Sequence, residues 1–267
     1  MTVNIIIDGA LGRMGRQIAS LAAGDPDFEI KGAVEAPQHS HTGSNYGDLI
    51  GAPSVKVPVV DDLSQIDTSR CTIISFTEAG AAAKLLAKCA GMPGKLVLGT
   101  TGLDDNSLTK LKELGGNKAV VFSPNMSLGV NLLFYLTEMV AHKLRDTFDI
   151  EIIEAHHRHK KDSPSGTARK LGEIVAGQLD SGYDSAVKNG RAGLVGERTD
   201  KEIGMHAVRA GDIIGDHTVL FAGTGERLEL KHMAHSRATF AQGALKAAQW
   251  LENKGPGLYS MRDILQL

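Results

Sequence analysis

The stretch Val3-Asn4-Ile5-Ile6-Ile7-Asp8-Gly9-Ala10-Leu11-Gly12-Arg13-Met14-Gly15 decides the fold. Its opening run is short, apolar and rich in β-branched side chains, the composition of a buried strand. The run stops at Asp8-Gly9, and from Met14 onward the apolar residues take helical spacing: Met14, Ile18, Leu21 and Ala22 stand at i, i+4, i+7 and i+8. The reading is strand, glycine turn, helix. The helix runs out near Gly24-Asp25-Pro26, and residues 29–34 give a second strand ending at Glu35, which completes a βαβ unit.

The alternation continues with a strand over 71–76, a helix over 79–90, a strand over 95–99, a helix over 104–114 and a strand over 119–122. Strands that are apolar throughout and separated by helices predict a parallel sheet covered on both faces. After Asn125 the rhythm changes. A long helix over 127–145 leads into residues 148–154, whose first positions alternate apolar and acidic, the pattern of a half-exposed strand. A helix over 167–179 and strand-like stretches at 205–210, 217–222 and 227–231 follow, and residues 239–250 are helical again. The fold class is therefore α/β: a Rossmann-type parallel-sheet domain from residues 1–126 and 238–267, plus an α+β domain with a mixed or antiparallel sheet from residues 127–237.

Composition narrows the function. In 267 residues, 42% hydrophobic and 22% charged, there is a sizeable core and no signature of disorder. Lys and Arg number 29 against 31 Asp and Glu, so no general positive field recruits nucleic acid or an acidic membrane. The N-terminus lacks the pattern of a secretory signal, and Lys84 and Lys88 interrupt the most apolar helical stretch, so the expected location is cytoplasmic. Cys71 and Cys89 read as buried thiols. The 31 glycines are the one excess, and they point to tight turns or close backbone approach to a ligand.

The turn after the first strand places Gly9, Gly12 and Gly15 where backbone amides at a helix N-terminus can hold a pyrophosphate, so Gly9, Ala10, Leu11, Gly12, Arg13 and Met14 are cofactor candidates. Glu35 stands at the end of the second strand, about 20 residues past the last glycine, the place from which a carboxylate binds the adenosine ribose of NAD. A carboxylate there repels a 2′-phosphate, and Ala36 and Pro37 add no compensating charge, so NADH is favoured; Arg13 and Arg16 keep NADPH as a second option. Gly99, Thr100 and Thr101 after one strand, and Ser123, Pro124, Asn125 and Met126 after another, occupy the carboxyl ends that meet the ligand crevice.

The stretch from Glu154 to Thr167 puts three of the ten histidines and three Lys or Arg residues into positions 156–161. Imidazole and lysine suit general acid catalysis, and their charge suits a carboxylate substrate. Ser165-Gly166-Thr167 then opens a helix, offering backbone amides and a hydroxyl to an anion. A solvated basic turn and a metal site on His156, His157 and His159 are the other readings of this loop; adjacent histidines point apart and neighbouring cations repel a metal, so no metal is expected.

The sequence resembles the 4-hydroxy-tetrahydrodipicolinate reductase (dihydrodipicolinate reductase) family over nearly its whole length. The resemblance is carried by GALGRMG (9–15), GTTG (99–102), SPNMSLGVN (123–131), EAHHRHKKDSPSGTA (154–168), VRAGDIIGDHTV (208–219) and MRDIL (261–265). It implies His156 and Lys160 as the catalytic proton-handling pair, His157, Gly166 and Thr167 as contacts to a small dicarboxylate, and the residues named above as the nicotinamide cofactor site. It also implies hydride transfer from the nicotinamide to the unsaturated ring in the diaminopimelate route to lysine, substrate binding and oligomerisation by the second domain, and a homotetramer. Two departures stand out: Ala36 where NADPH-using members often carry Arg, and Met126 where the family often has Phe. Another nicotinamide-dependent reductase of a small dicarboxylate, or a non-catalytic NAD(H)-sensing module, are the alternatives, and a sensor has no need of Lys160.

Overall fold

In chain order the elements of the computed structural model, which describes residues 2–267, are β1 (Val3–Asp8), α1 (Arg13–Ala23), β2 (Phe28–Val34), α2 (Tyr46–Ile50), β3 (Val59–Val60), β4 (Thr72–Ser75), α3 (Ala79–Ala90), β5 (Lys95–Leu98), α4 (Asp105–Gly115) and β6 (Ala119–Phe122). They continue as α5 (Leu128–Leu144), β7 (Asp149–His156), α6 (Gly166–Gln178), α7 (Tyr183–Ala186), β8 (Val187–Asn189), β9 (Ile203–Arg209), β10 (Gly215–Gly223) and β11 (Glu226–Ala234), and end with α8 (Ala238–Leu251), β12 (Gly257–Tyr259) and α9 (Met261–Leu265). Two compact units result, one from residues 1–128 and 237–267 and the other from residues 129–236.

The first unit is built on a sheet of order β12-β6-β5-β4-β1-β2-β3 in which every paired neighbour runs parallel. Its strands are apolar on both faces because both faces are covered. Ile5 and Ile7 point into a cluster with Ile18, Ala244 and Met261, whereas Ile6 points the opposite way into a cluster with Leu86, Leu96 and Leu111. Each such side chain, fully buried, contributes about 1.5–3 kcal/mol, which outweighs the modest helix-propensity differences of the surrounding segments. Helix α1 buries Gly15, Ile18, Ala19 and Ala22, one stripe at helical spacing, and packs on the alanine-rich face of α8.

Two elements between the second strand and residue 71 lack a sequence signal. Strand β3 is two residues long, and α2 is a five-residue turn of helix capped by the Asn45 side chain and ended by Gly51 in the left-handed region. Neither is long enough to show a hydrophobic period.

The second unit carries a five-stranded mixed sheet of order β11-β10-β7-β9-β8. β10 pairs antiparallel with β7 and β11, while β7–β9 and β8–β9 are parallel. Ile150, Ile152, Val219 and Phe221 face a core shared with Leu133 of α5 and Leu171 and Val175 of α6. The opposite face is open, with Ile153, Val208 and Met233 exposed on it.

Candidate functional site

Because the first sheet is parallel, the residues that follow β1, β2, β4, β5 and β6 gather at one edge. Gly9 turns the chain there with φ +72°, a conformation that disfavours side chains, and Gly15 lets α1 start close beneath: a Cβ on Gly15 would lie 2.2 Å from the Gly9 carbonyl oxygen. The N-cap Gly12 supplies no side-chain acceptor and the first turn of α1 holds no acid, so the amides of Arg13 and Met14 have no acceptor inside the helix and face the edge as anion donors. Glu35 accepts from the Leu11 amide at 2.8 Å and from its neighbour Ala36 at 3.0 Å, which fixes its carboxylate at the rim of the turn.

A cavity of about 280 Å³ opens here, and Arg13, Met14, Gly99, Thr101, Pro124, Asn125 and Met126 line it. Met126 is fully buried and belongs to the core. Thr100 is buried too, its hydroxyl donating to the Thr77 carbonyl at 2.9 Å, and the Ser123 hydroxyl donates to the Asn125 carbonyl at 2.7 Å; these bonds hold the two loops in shape. Both arginines are exposed, and Arg16 spends its guanidinium on the carbonyls of Leu11 and Leu49. An uncapped helix start, glycines at the close approaches, an acid at the second strand end and a hollow beside them fit the diphosphate, ribose and ring of a nicotinamide dinucleotide.

Sequence reasoning missed four residues at this edge. Phe76, Arg237 and Phe240 also line the cavity, with the Phe76 ring seated where a Cβ on Gly99 would come within 2.3 Å of it. Tyr46 lies under the turn, fully buried, and its hydroxyl donates to the Ala10 carbonyl at 2.7 Å. Only Phe76 carried a signal, as the last residue of an apolar strand.

In the second unit, β7 ends at His156 and the chain turns through His157–Lys161 before α6 begins. The start of the loop is tied to the residues that follow β9: the Ala210 amide donates to the His156 carbonyl and the Arg158 amide to the Gly211 carbonyl. His156 is nearly buried, with Nδ1 2.6 Å from Glu154 Oε2 and its ring edge-on to His217 at 5.2 Å. Burial lowers its pKa below the ordinary value and outweighs the raising effect of Glu154. Lys160 donates to Asp162 at 2.9 Å, which holds the Asp162 carboxyl below its usual range. His157 is partly exposed and stands 6.3 Å, ring to ring, from His159. At the start of α6 the Ser165 hydroxyl caps the Ala168 amide at 3.2 Å, and Gly166 and Thr167 stand in the first turn of the helix that follows.

His217 reaches Ser165 Oγ at 3.0 Å, and burial pushes its pKa down to about 3, so it stays neutral. Among the described residues no group of three His, Cys, Asp or Glu side chains is arranged to hold a metal ion. A larger hollow of about 550 Å³ lies beside an ionic cluster on the open sheet face and meets the loop only at Ser163 and Pro164. In that cluster Glu151 binds Arg191, Arg198 and His206, and Gly204 makes room for it: a Cβ there would lie 1.7 Å from Oε2.

Comparison with known proteins covers both units. Residues 3–126 match the family described as dihydrodipicolinate reductase, N-terminus, and residues 129–265 match dihydrodipicolinate reductase, C-terminus. The chain belongs to the dihydrodipicolinate reductase family. It is 46% identical over 263 residues to the 4-hydroxy-tetrahydrodipicolinate reductase of Hahella chejuensis, covering 98% of each chain, and 46% identical over 269 residues to that of Thiobacillus denitrificans, covering 100% of each. The dipicolinate-bound dihydrodipicolinate reductase from Paenisporosarcina sp. TG-14 shares the fold, with a TM-score of 0.74 at 24% identity over 97% of this chain and 98% of that one. Among the described residues no helix is long and apolar enough to cross a membrane.

Proposed function

We propose that this member of the dihydrodipicolinate reductase family reduces 4-hydroxy-tetrahydrodipicolinate to tetrahydrodipicolinate in the diaminopimelate route of lysine biosynthesis. The observation that carries the reading is the segment from His156 to Thr167, where an imidazole, an ammonium group and a helix N-terminus follow one another at the end of β7. That combination suits a substrate which is dianionic and must be protonated.

A nicotinamide cofactor, when bound, supplies the hydride. The Arg13 and Met14 amides and the Arg13 side chain hold its diphosphate, Glu35 its adenosine ribose, and the loops at Gly99–Thr101 and Ser123–Met126 its far end. Because the Glu35 carboxylate is fixed and Ala36 brings no cation, NADH is the preferred cofactor and NADPH the poorer one.

The backbone amides at Gly166 and Thr167 take one substrate carboxylate and His157 contacts the ring. Overall the substrate gains a hydride, and its hydroxyl departs with a proton as water. His156, held below its ordinary pKa by burial, is neutral at pH 7, so the ammonium of Lys160 is the proton donor and His156 an uncharged partner beside the ring. Asp162 keeps Lys160 in place until a substrate carboxylate competes for it. The exposed Ile153, Val208 and Met233 on the second sheet's open face support association into a cytoplasmic homotetramer, which sedimentation equilibrium tests.

The decisive experiment mixes the purified protein, freshly generated 4-hydroxy-tetrahydrodipicolinate and NADH or NADPH, and follows nicotinamide absorbance. Substrate-dependent oxidation, faster with NADH, is expected; none with either cofactor overturns the reading.

A further inference from the structure

The parity of β7 places Ile150, Ile152, Glu154 and His156 on its inner face, so an acid and an imidazole extend the apolar row. Glu154 is fully buried, and a buried carboxylate must be completely paired. It is. Arg209 of β9 grips both oxygens at 2.8 Å, the Ser165 amide donates to Oε1 at 3.0 Å, and His156 Nδ1 lies 2.6 Å from Oε2. Burial works to raise the Glu154 pKa, but these donors hold it below the usual carboxylate range, so it accepts and does not donate. The proton of the Glu154–His156 bond therefore sits on Nδ1, and Nε2 of the neutral ring carries the lone pair. Nε2 lies next to Gly215, where a Cβ would approach it to 3.1 Å.

We propose that Glu154, neutralised by Arg209, is a positioning residue for the reduction: one carboxylate holds His156 as the Nδ1–H tautomer and pins the amide at which α6 begins, so that the neutral imidazole beside the substrate and the carboxylate-binding helix end share one frame. The role rests on the reductase reading given above. Two oxygens serve the two tasks, since Oε2 meets the ring and Oε1 meets Ser165. Arg209 gives the device a second function, because it also donates to the Asp162 carbonyl at 2.8 Å and so fastens the far end of the Lys160 loop to the same acid. The charged or titratable groups around His156 are Glu154 on its own strand, Arg209 from β9, His217 from β10 and Lys160 from the loop. Lys160 and Arg209 both oppose an imidazolium; Glu154 alone favours one.

Removing Glu154 by itself leaves the half-buried Arg209 charge without its carboxylate partner, which destabilises a protein. The test therefore uses Glu154→Gln alongside the double variant Glu154→Gln/Arg209→Met, with circular dichroism and thermal melting confirming that each is folded. Protein carrying ¹⁵N-labelled histidine reports the His156 tautomer, its signal assigned by its loss in His156→Gln, and steady-state kinetics give kcat and KM. The expected result is Nδ1–H in the unaltered protein and a move toward Nε2–H in the double variant. With it, kcat falls at least tenfold, KM for NADH stays within twofold, and the pH–rate profile shifts to lower pH; Glu154→Asp restores part of the Nδ1–H population and of kcat. A neutral His156 found as Nε2–H in the unaltered protein overturns the proposal, as does a folded double variant with unchanged kcat and tautomer. An unaltered protein that oxidises no NADH with the dicarboxylate overturns the reductase reading itself, whereas an active protein indifferent to these substitutions overturns only the role of Glu154.

Discussion

The Glu35 carboxylate accepts a hydrogen bond from the Leu11 amide at 2.8 Å, so the end of β2 is latched to the glycine turn that follows β1. One acid thus shapes the turn and sets the charge at its rim. Replacing Glu35 with Ala removes a charge-assisted bond worth about 1.5–3 kcal/mol at most, part of which a water molecule recovers. The expected outcome is a roughly tenfold rise in KM for NADH with kcat nearly unchanged, and a smaller preference over NADPH. Adding Ala36→Arg to that variant is expected to reverse the preference, read as kcat/KM for both cofactors.

Lys160→Ala tests the chemistry. Loss of a positioned proton donor lowers kcat by about 10²–10⁴-fold, while the dissociation constant for NADH, measured by fluorescence titration, stays the same. A protein that only senses NAD(H) would keep its output in this variant.

Tyr46 carries a prediction about the turn rather than the reaction. Its hydroxyl satisfies the buried Ala10 carbonyl, so Tyr46→Phe leaves that oxygen unpaired and costs about 1–2 kcal/mol of stability in urea denaturation. Cofactor binding weakens in the same variant because Ala10 is part of the turn.

The ionic cluster on the open sheet face gives a pH dependence. Burial opposes the Glu151 charge, yet Arg191, His206 and Arg198 bring its pKa down to about 2. A depressed carboxylate stabilises the fold above its unfolded pKa, near 4.5, and the contribution fades as pH falls toward 2. Glu151→Gln is therefore expected to cost about 2–3 kcal/mol at pH 7, and its deficit relative to the unaltered protein shrinks progressively below pH 5. Thermal melts from pH 3 to 7 check this. Gly204→Ala, which drives a methyl group into Glu151, should mimic the loss at neutral pH.

What could be read in advance followed from burial. The first sheet was legible because strands covered on both faces are apolar without interruption, as at Ile5-Ile6-Ile7 and Leu96-Val97-Leu98. Strand β3, at two residues, and the five-residue α2 with its buried Tyr46 were not, since neither spans a period. The histidine loop stood out by composition, because three imidazoles and three cations in six positions are rare. Glu154 and Arg209 did not, being common residue types whose partners are 55 positions apart. A signal existed nonetheless: counting by twos from Ile150 and Ile152 arrives at Glu154 and His156 and assigns both to the interior.

β7 is asymmetric in a way that polices its own alignment. Glu151 turns outward among arginines, and Glu154, one step out of phase, turns inward beneath His156. Sliding the strand by a single residue against β9 and β10 would invert both, driving Glu151 into the aliphatic interior beside α6 and swinging the imidazole out onto the open face. Each acid thus acts as a key cut for a different lock, and a chain threaded out of register fits neither.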